Sequence, residues 1–167
     1  MVSLEGFFEA PNQEMDWIIL DGEFFAHAND MLRSADTLLF GRTTYLHMAG
    51  YRPFAAKDEI ADRMNTLAKV VFSGTLERAQ WNNSRLVKTD AAEEVLRLKQ
   101  QPGKDIVILG SATLASFLLQ RGLTDEYRMI PNPVLIGIGN PLFKGIKQTL
   151  RLKLQQTKLF ASGVVLL

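Results

Sequence analysis

The sequence contains no cysteine. That excludes disulfides, thiolate zinc sites, iron–sulfur clusters and cysteine nucleophiles. It also lacks charge of one sign: 19 basic and 18 acidic residues leave a net charge of +1 over 167 residues. So balanced a chain does not attract nucleic acid or an anionic membrane globally, and any anion site must be local. No apolar run approaches the ~20 residues of a membrane-spanning helix. The N-terminus lacks the basic region and long apolar stretch of a signal peptide. The cytoplasm is the expected compartment. There is no Gly/Ser linker, low-complexity tract or repeat, so a single domain over 1–167 is expected. Histidine is scarce: His27 and His47 both fall on expected helices, with no partner at metal-ligand spacing. No serine sits in a nucleophile elbow. Hydrolytic chemistry is poorly supported, and a reaction carried by a bound cofactor fits better.

What is present is a large apolar fraction, 47% hydrophobic residues, enough for a sizeable core. The apolar runs alternate with helical patterns. Asp21 is placed to cap a helix from about Gly22 to Arg33. Thr37–Phe40 reads as a short buried strand, followed by a helix from Thr43 to about Met48 and another from Asp58 to Leu67. Lys69–Ser73 and Arg85–Lys88 read as strands. Asp90 and Glu93 form a capping box for a helix to about Gln100. Asp105–Leu109 is an expected strand, and Ala112–Arg121 a helix stopped by Gly122. After that the pattern changes: Glu126–Ile130, Leu150–Lys158 and Phe160–Leu167 read as strands without long helices between them. Alternation of this kind implies a mostly parallel sheet with right-handed crossovers, and the last two strands can only pair antiparallel. Met1–Leu4 reads as the end of a strand and Gly163–Leu167 as a strand with no polar tail. Residues missing from both terminal strands are expected.

Two strings carry the chemistry. Phe40-Gly41-Arg42-Thr43-Thr44-Tyr45 and Ile108-Leu109-Gly110-Ser111-Ala112-Thr113-Leu114 each run a buried strand through a glycine into a helix. A helix start offers unpaired N–H groups and a positive dipole end, which together hold anions. Arg42 adds a forked, permanent charge matched to phosphate. Ser111 can cap its helix and also donate to an anion. Ser73-Gly74-Thr75 ends a third strand. In open α/β sheets ligands bind at the ends of parallel strands, so three such ends converge on one edge. Several phosphates point to a nucleotide cofactor. Each turn alone has an ordinary structural explanation: a tight bend, a cap, a surface ion pair.

Taken together these strings resemble the dihydrofolate reductase-like superfamily. Within it they are most similar to the reductase (C-terminal) domain of the bifunctional riboflavin-biosynthesis deaminase-reductase, over nearly the whole chain. Ser3-Leu4-Glu5-Gly6-Phe7 resembles the family's first-strand S-L-D-G. Phe40–Tyr45 resembles the M-G-R-x-T-[WY] string that contacts the cofactor phosphates. Val71-Phe72-Ser73 is similar to the strand ending at the adenosine side. Gly110–Leu114 is similar to the turn and helix that hold the pyrophosphate. Gly122–Tyr127 and Pro133–Gly137 resemble the G-L-x-D-E-[LY] and P-x-x-[LI]-G runs.

The resemblance implies a dihydrofolate reductase-like mixed, mostly parallel sheet flanked by helices, with an antiparallel C-terminal hairpin. It implies an NADPH-dependent reductase, paired as a homodimer through the C-terminal strands, acting on a small planar heterocycle of pteridine or aminopyrimidine type. The alternative is a non-catalytic nucleotide-binding or sensing module on the same fold. Gly41, Arg42, Thr43, Thr44, Ser73, Gly110, Ser111, Ala112, Thr113 and Leu114 are the cofactor candidates. Ser3, Glu5 and Trp17 are the substrate candidates, with Phe7, Phe8 and Phe24 as further aromatic walls. Three departures stand out. Leu109 occupies the position of the acid in the family's E-G-G-P-x-L string. Glu5 replaces the first-strand Asp, and no deaminase domain is present. The substrate carboxylate of folate reductases has three possible counterparts here, Asp16, Asp21 and Glu23.

Overall fold

A computed structural model describes residues 1–54 and 58–167. In chain order the elements are β1 (Phe7–Glu9), α1 (Gly22–Ser34), β2 (Ala35–Gly41), α2 (Arg42–Tyr51), a 3-10 turn (Arg52–Phe54), α3 (Glu59–Thr66), β3 (Ala68–Phe72) and β4 (Ser84–Val87). They continue with α4 (Ala91–Lys99), β5 (Asp105–Gly110), α5 (Ala112–Leu119), β6 (Asn140–Pro141), β7 (Lys158–Leu159) and β8 (Val165–Leu166). No helix among the described residues is long and apolar enough to cross a membrane. The chain divides into two compact units, one of His27–Leu123 and one of Met1–Ala26 with Thr124–Leu167.

The His27–Leu123 unit is built on a four-stranded parallel sheet in the order β4-β3-β2-β5. Its central strands read as continuous apolar runs because both faces are covered. Leu38 and Phe40 of β2 and Val71 of β3 pack with Leu32, Tyr45, Ile60 and Met64 from α1, α2 and α3. Leu39, Val70 and Val87 pack on the opposite face with Val95 of α4 and Leu114 and Leu118 of α5. The alternation of neighbouring residues between two cores is the pleat of the strand.

Local signals set the helix starts as expected. Asp21 Oδ1 accepts from Phe24 N at 2.8 Å, Asp58 Oδ1 from Ala61 N at 2.7 Å and Asp90 Oδ1 from Ala92 N at 2.7 Å. α2 runs longer than the pattern suggests, to Tyr51, and α5 shorter, to Leu119. Gly122, at φ +67, ends α5, with Leu123 N bonded to Leu118 O at 3.0 Å.

One buried residue is not apolar. Lys69, the second residue of β3, is 1% exposed. Its Nζ donates to the carbonyls of Leu67 (2.8 Å), Asn82 (2.9 Å) and Asn65 (3.3 Å) and lies 4.7 Å from the centre of the Trp81 ring. Burial pushes its ammonium down to about 8. Trp81 is held in turn by Asn65 Oδ1 on its indole N–H (2.7 Å) and by the Tyr45 hydroxyl on its backbone N–H (2.8 Å).

The second unit corrects three strand expectations. Met1–Leu4 forms a bridge rather than a full strand. Val2 makes a lone parallel bridge to Pro131, and the chain turns at Gly6 (φ +84) before β1, which pairs antiparallel with β6. Glu126–Ile130 has no ladder of its own, although Met129 and Leu167 exchange backbone hydrogen bonds at 3.0 and 2.9 Å. Leu150–Lys158 is not a strand. Only Lys158–Leu159 pairs, antiparallel with Val165–Leu166, which forms the C-terminal hairpin. The physical reason is partnership: an alternating stripe becomes a strand only beside another strand. Leu152 and Leu154 have no such neighbour among the described residues and stand 65% and 64% exposed. Ile130, Phe160 and Val164 form this unit's core with Ile19, Phe24 and Leu166. Asn132, fully buried, ties the chain together by accepting from Ile19 N at 2.9 Å.

Candidate functional site

The strand order creates the site. From β2 the chain moves to β3 and then β4 on one side, and it returns to place β5 on the other side of β2. Adjacent β2 and β5 send their following helices to opposite faces, which makes the edge between their carboxyl ends a topological switch point. In open α/β sheets such a switch point is where ligands bind.

Two glycine turns stand at that edge. Gly41 ends β2 in extended conformation (φ −79°, ψ 163°) and precedes α2 without any side-chain cap. Gly110 ends β5 at φ +135°, joined to Ser111 by a cis peptide bond. The two turns press on each other. A Cβ on Gly41 would lie 2.5 Å from Ser111 Oγ, and a Cβ on Gly110 would lie 2.7 Å from Thr44 Oγ1. Gly110 is held in a backbone conformation that side chains rarely adopt, a side chain at Gly41 would have to displace Ser111, and the two helix starts lie against each other. The N–H groups of Arg42, Thr43 and Thr44 at the start of α2, and of Ala112 and Thr113 at the start of α5, precede the first helical hydrogen bonds of their helices. Two helix starts held against each other in this way suit a pyrophosphate.

The candidate side chains divide by role. Arg42 and Thr43 are exposed, and Arg42 holds no carboxylate among the described residues. Ser73 follows β3. Its N–H donates to Val87 O at 3.1 Å, and its Oγ accepts from Leu76 N (2.9 Å) and Thr75 N (3.2 Å). Ser111 caps α5, accepting from Leu114 N at 3.4 Å. The Leu114 side chain is buried in the core and its N–H serves the Ser111 cap. Motif reading passes over a fourth strand end, Val87-Lys88, because no glycine turn marks it. Only strand register puts it on this edge.

The substrate candidates lie in the other unit. Ser3 is buried, donating to Glu5 Oε2 at 3.2 Å and accepting from Phe7 N at 3.3 Å. Glu5 spends both carboxylate oxygens on backbone, accepting from Ile136 N (2.8 Å) and Gly137 N (3.0 Å). These contacts hold the Ser3–Gly6 turn against the 133–137 run. Trp17 is half-buried, and its indole N–H is shielded from solvent without a partner. A shielded orphan donor is uncommon and costs about 1–3 kcal/mol. Of the three carboxylates left open by the sequence, two are occupied. Asp21 caps α1, and the Ser162 hydroxyl followed by the Phe24 N–H holds it below the ordinary aspartate range. Glu23 Oε2 accepts from Ala161 N at 2.6 Å. Asp16 is exposed and holds no partner among the described residues. No cluster of metal-ligating side chains is found among the described residues.

Comparison with known proteins places this geometry in context. Residues 1–166 match the RibD C-terminal domain family. The chain is 37% identical over 168 residues to the uncharacterized protein YyaP of Bacillus subtilis, covering 98% of this chain and 88% of that protein. It superposes on a Shewanella sp. PV-4 protein assigned to riboflavin biosynthesis with a TM-score of 0.76 at 20% identity, covering 99% of this chain and 92% of that one. It also superposes on the diaminohydroxyphosphoribosylaminopyrimidine deaminase/5-amino-6-(5-phosphoribosylamino)uracil reductase of Thermotoga maritima. The TM-score there is 0.69 at 15% identity, with 99% of this chain and 53% of that one covered.

Proposed function

The chain belongs to the RibD C-terminal domain family, and from that premise we propose that it is an NADPH-dependent reductase of a small planar heterocycle, of aminopyrimidine or pteridine type. The observation that carries the reading is the pair of mutually packed glycine turns at the switch point of the parallel sheet, where a Cβ on either glycine would collide with the other turn. The residues fit the cofactor. The backbone N–H groups at the starts of α2 and α5 would hold the pyrophosphate, with Ser111 beside them. Arg42, at the head of α2, would hold the 2′-phosphate that distinguishes NADPH from NADH. Bound there, NADPH supplies a hydride. The protein's part is to bind and orient the two reactants and to exclude water.

A second reading has one observation in its favour. At the position of the family's acid stands Leu109, packed against the apolar core. A nucleotide-binding module without turnover would have that feature. Titration with NADPH, run beside NADPH oxidation with a panel of aminopyrimidines and pteridines, separates the two. Binding with turnover of at least one compound is the expected result, binding without any turnover supports the module, and failure to bind NADPH refutes both.

We also propose a homodimer. Leu150, Leu152, Leu154 and Leu159 of the C-terminal region are apolar side chains 41–70% exposed. Symmetric pairing is the commonest way to cover such a surface.

A further inference from the structure

The start of α2 has little of its own to hold it. Gly41 gives it no side-chain cap, and its first turn carries no acidic residue. Tyr45 is the side chain that α2 buries fully, with Met48 and Ala49 partly buried beside it. A helix takes its position from the face it packs, and here that face is narrow. Tyr45 follows Thr44, whose side chain lies against Gly110, and sits one turn after Gly41, which lies against Ser111. Whatever fixes Tyr45 therefore fixes how the two glycine turns meet.

Tyr45 is fixed by Trp81. Its hydroxyl accepts from the Trp81 backbone N–H at 2.8 Å, and both side chains are buried. The rings of Phe40, Tyr45 and Trp81 form a triad with centres 6.0 to 6.2 Å apart. Phe40 immediately precedes Gly41, so the triad reaches both sides of that turn. Trp81 itself lies outside any strand, in the connection between β3 and β4. Its anchors are side chains: Asn65 Oδ1 accepts from its indole N–H at 2.7 Å, and the Lys69 ammonium lies 4.7 Å from its ring centre. Lys69 Nζ also donates to the carbonyls of Asn65 and Leu67 at the end of α3 and of Asn82 beside Trp81. Asn83 Nδ2 donates to Thr66 O at 2.7 Å, and Lys69 N to Asn83 O at 2.8 Å. Carbonyls that a helix end leaves orphaned are thus all drawn into one block with the start of β3 and the 81–83 turn.

We propose that Trp81 is a positioning residue of the candidate site: carried on this block, it sets the place of the first turn of α2 through Tyr45. The inference deepens the reading that the two helix starts hold the cofactor pyrophosphate, and it rests on that reading. Apolar packing alone would keep the triad together but is not directional. The hydroxyl bond adds direction, because a hydrogen bond weakens steeply when its distance or angle changes. It ties the one deeply buried point of α2 to a segment that the Lys69 block holds from below.

Calorimetric titration of the intact chain with NADPH and with NADH, well below the melting transition, tests the assignment without any turnover. The wild type is expected to bind NADPH. Tyr45→Phe deletes one oxygen and keeps the ring, and it is expected to weaken both nucleotides alike by roughly threefold to thirtyfold, since both carry the pyrophosphate. Trp81→Phe keeps a ring and the backbone N–H but frees the segment from Asn65, and a loss for both nucleotides in the same range is expected. The double variant is expected to lose no more than the weaker-binding single variant, because both changes act through one bond. Val95→Ala removes volume from the core on the other face of the sheet and serves as the control: its melting temperature falls while its affinities stay near those of the wild type. Tyr45→Phe decides the question by itself if Trp81→Phe does not fold. A wild type that binds neither nucleotide overturns the cofactor reading and the positioning role together. A wild type that binds, with Tyr45→Phe at wild-type affinity, overturns the positioning role alone. So does an equal loss of affinity in Val95→Ala, or a double variant whose losses strictly add.

Discussion

Replacing Gly110 by valine tests the heart of the site. The backbone at Gly110 has φ +135°, where a side chain is strained by about 1–3 kcal/mol. The added Cβ would also lie 2.7 Å from Thr44 Oγ1 and 3.2 Å from Thr44 Cγ2. Overpacking of that kind costs a further ~1–3 kcal/mol. The sum, about 2–6 kcal/mol, is below the whole stability of most domains, about 5–15 kcal/mol. The variant should therefore fold, with its melting temperature lowered by about 4–24 °C. Parting the β5 end from the start of α2 relieves the strain and removes the backbone cradle. NADPH titration, read by quenching of tryptophan fluorescence, should show no binding while circular dichroism below the transition stays native. The two contributions can be separated. In Gly110→Ala the Cβ alone meets Thr44. Adding Thr44→Ala removes the Oγ1 and Cγ2 contacts but not the φ penalty, so the double variant should recover part of the lost stability. Undiminished NADPH binding by Gly110→Val would refute the site, and strict additivity of the Gly110→Ala and Thr44→Ala effects would refute the steric argument.

Arg42→Ala should lower affinity for NADPH by about tenfold to a hundredfold and leave NADH unchanged, since one charge-assisted contact is worth about 1.5–3 kcal/mol; equal losses for both would remove Arg42 from the 2′-phosphate. Lys69 makes stability depend on pH in an unusual direction. Its pKa in the folded chain is about 8, below the ordinary value of 10.5, so between those values the unfolded chain binds more protons and stability rises with pH. Urea midpoints measured from pH 7 to 10.5 should show that rise, and it should vanish in Lys69→Met; a fall across the window in the wild type would show that the three carbonyls and the Trp81 ring outweigh burial. Light scattering at micromolar concentration should give twice the chain mass, and a value near 18.7 kDa would rule out the homodimer.

Much of the His27–Leu123 unit is legible in one dimension because its determinants are local. A cap is a side chain meeting an N–H two or three residues on, so Asp21, Asp90 and Ser111 announce α1, α4 and α5 directly. Strands buried on both faces, such as Leu38–Phe40 and Val70-Val71, read as apolar runs whatever their neighbours. The glycines of both turns were visible for the same reason. The packing of Gly41 against Ser111 and of Gly110 against Thr44 was not, because it joins residues nearly seventy positions apart. Burial of Lys69 depends on three carbonyls from two other segments, which no composition or periodicity encodes. The alternating leucines of 150–154 predict a strand that the fold does not form, since strand pairing requires a partner and periodicity specifies only one side of it. Trp81 shows the same division. Its bulk and its indole N–H are sequence properties, but its place between Tyr45, Asn65 and Lys69 follows from packing, and that packing is decided only when α2, α3 and β3 come together.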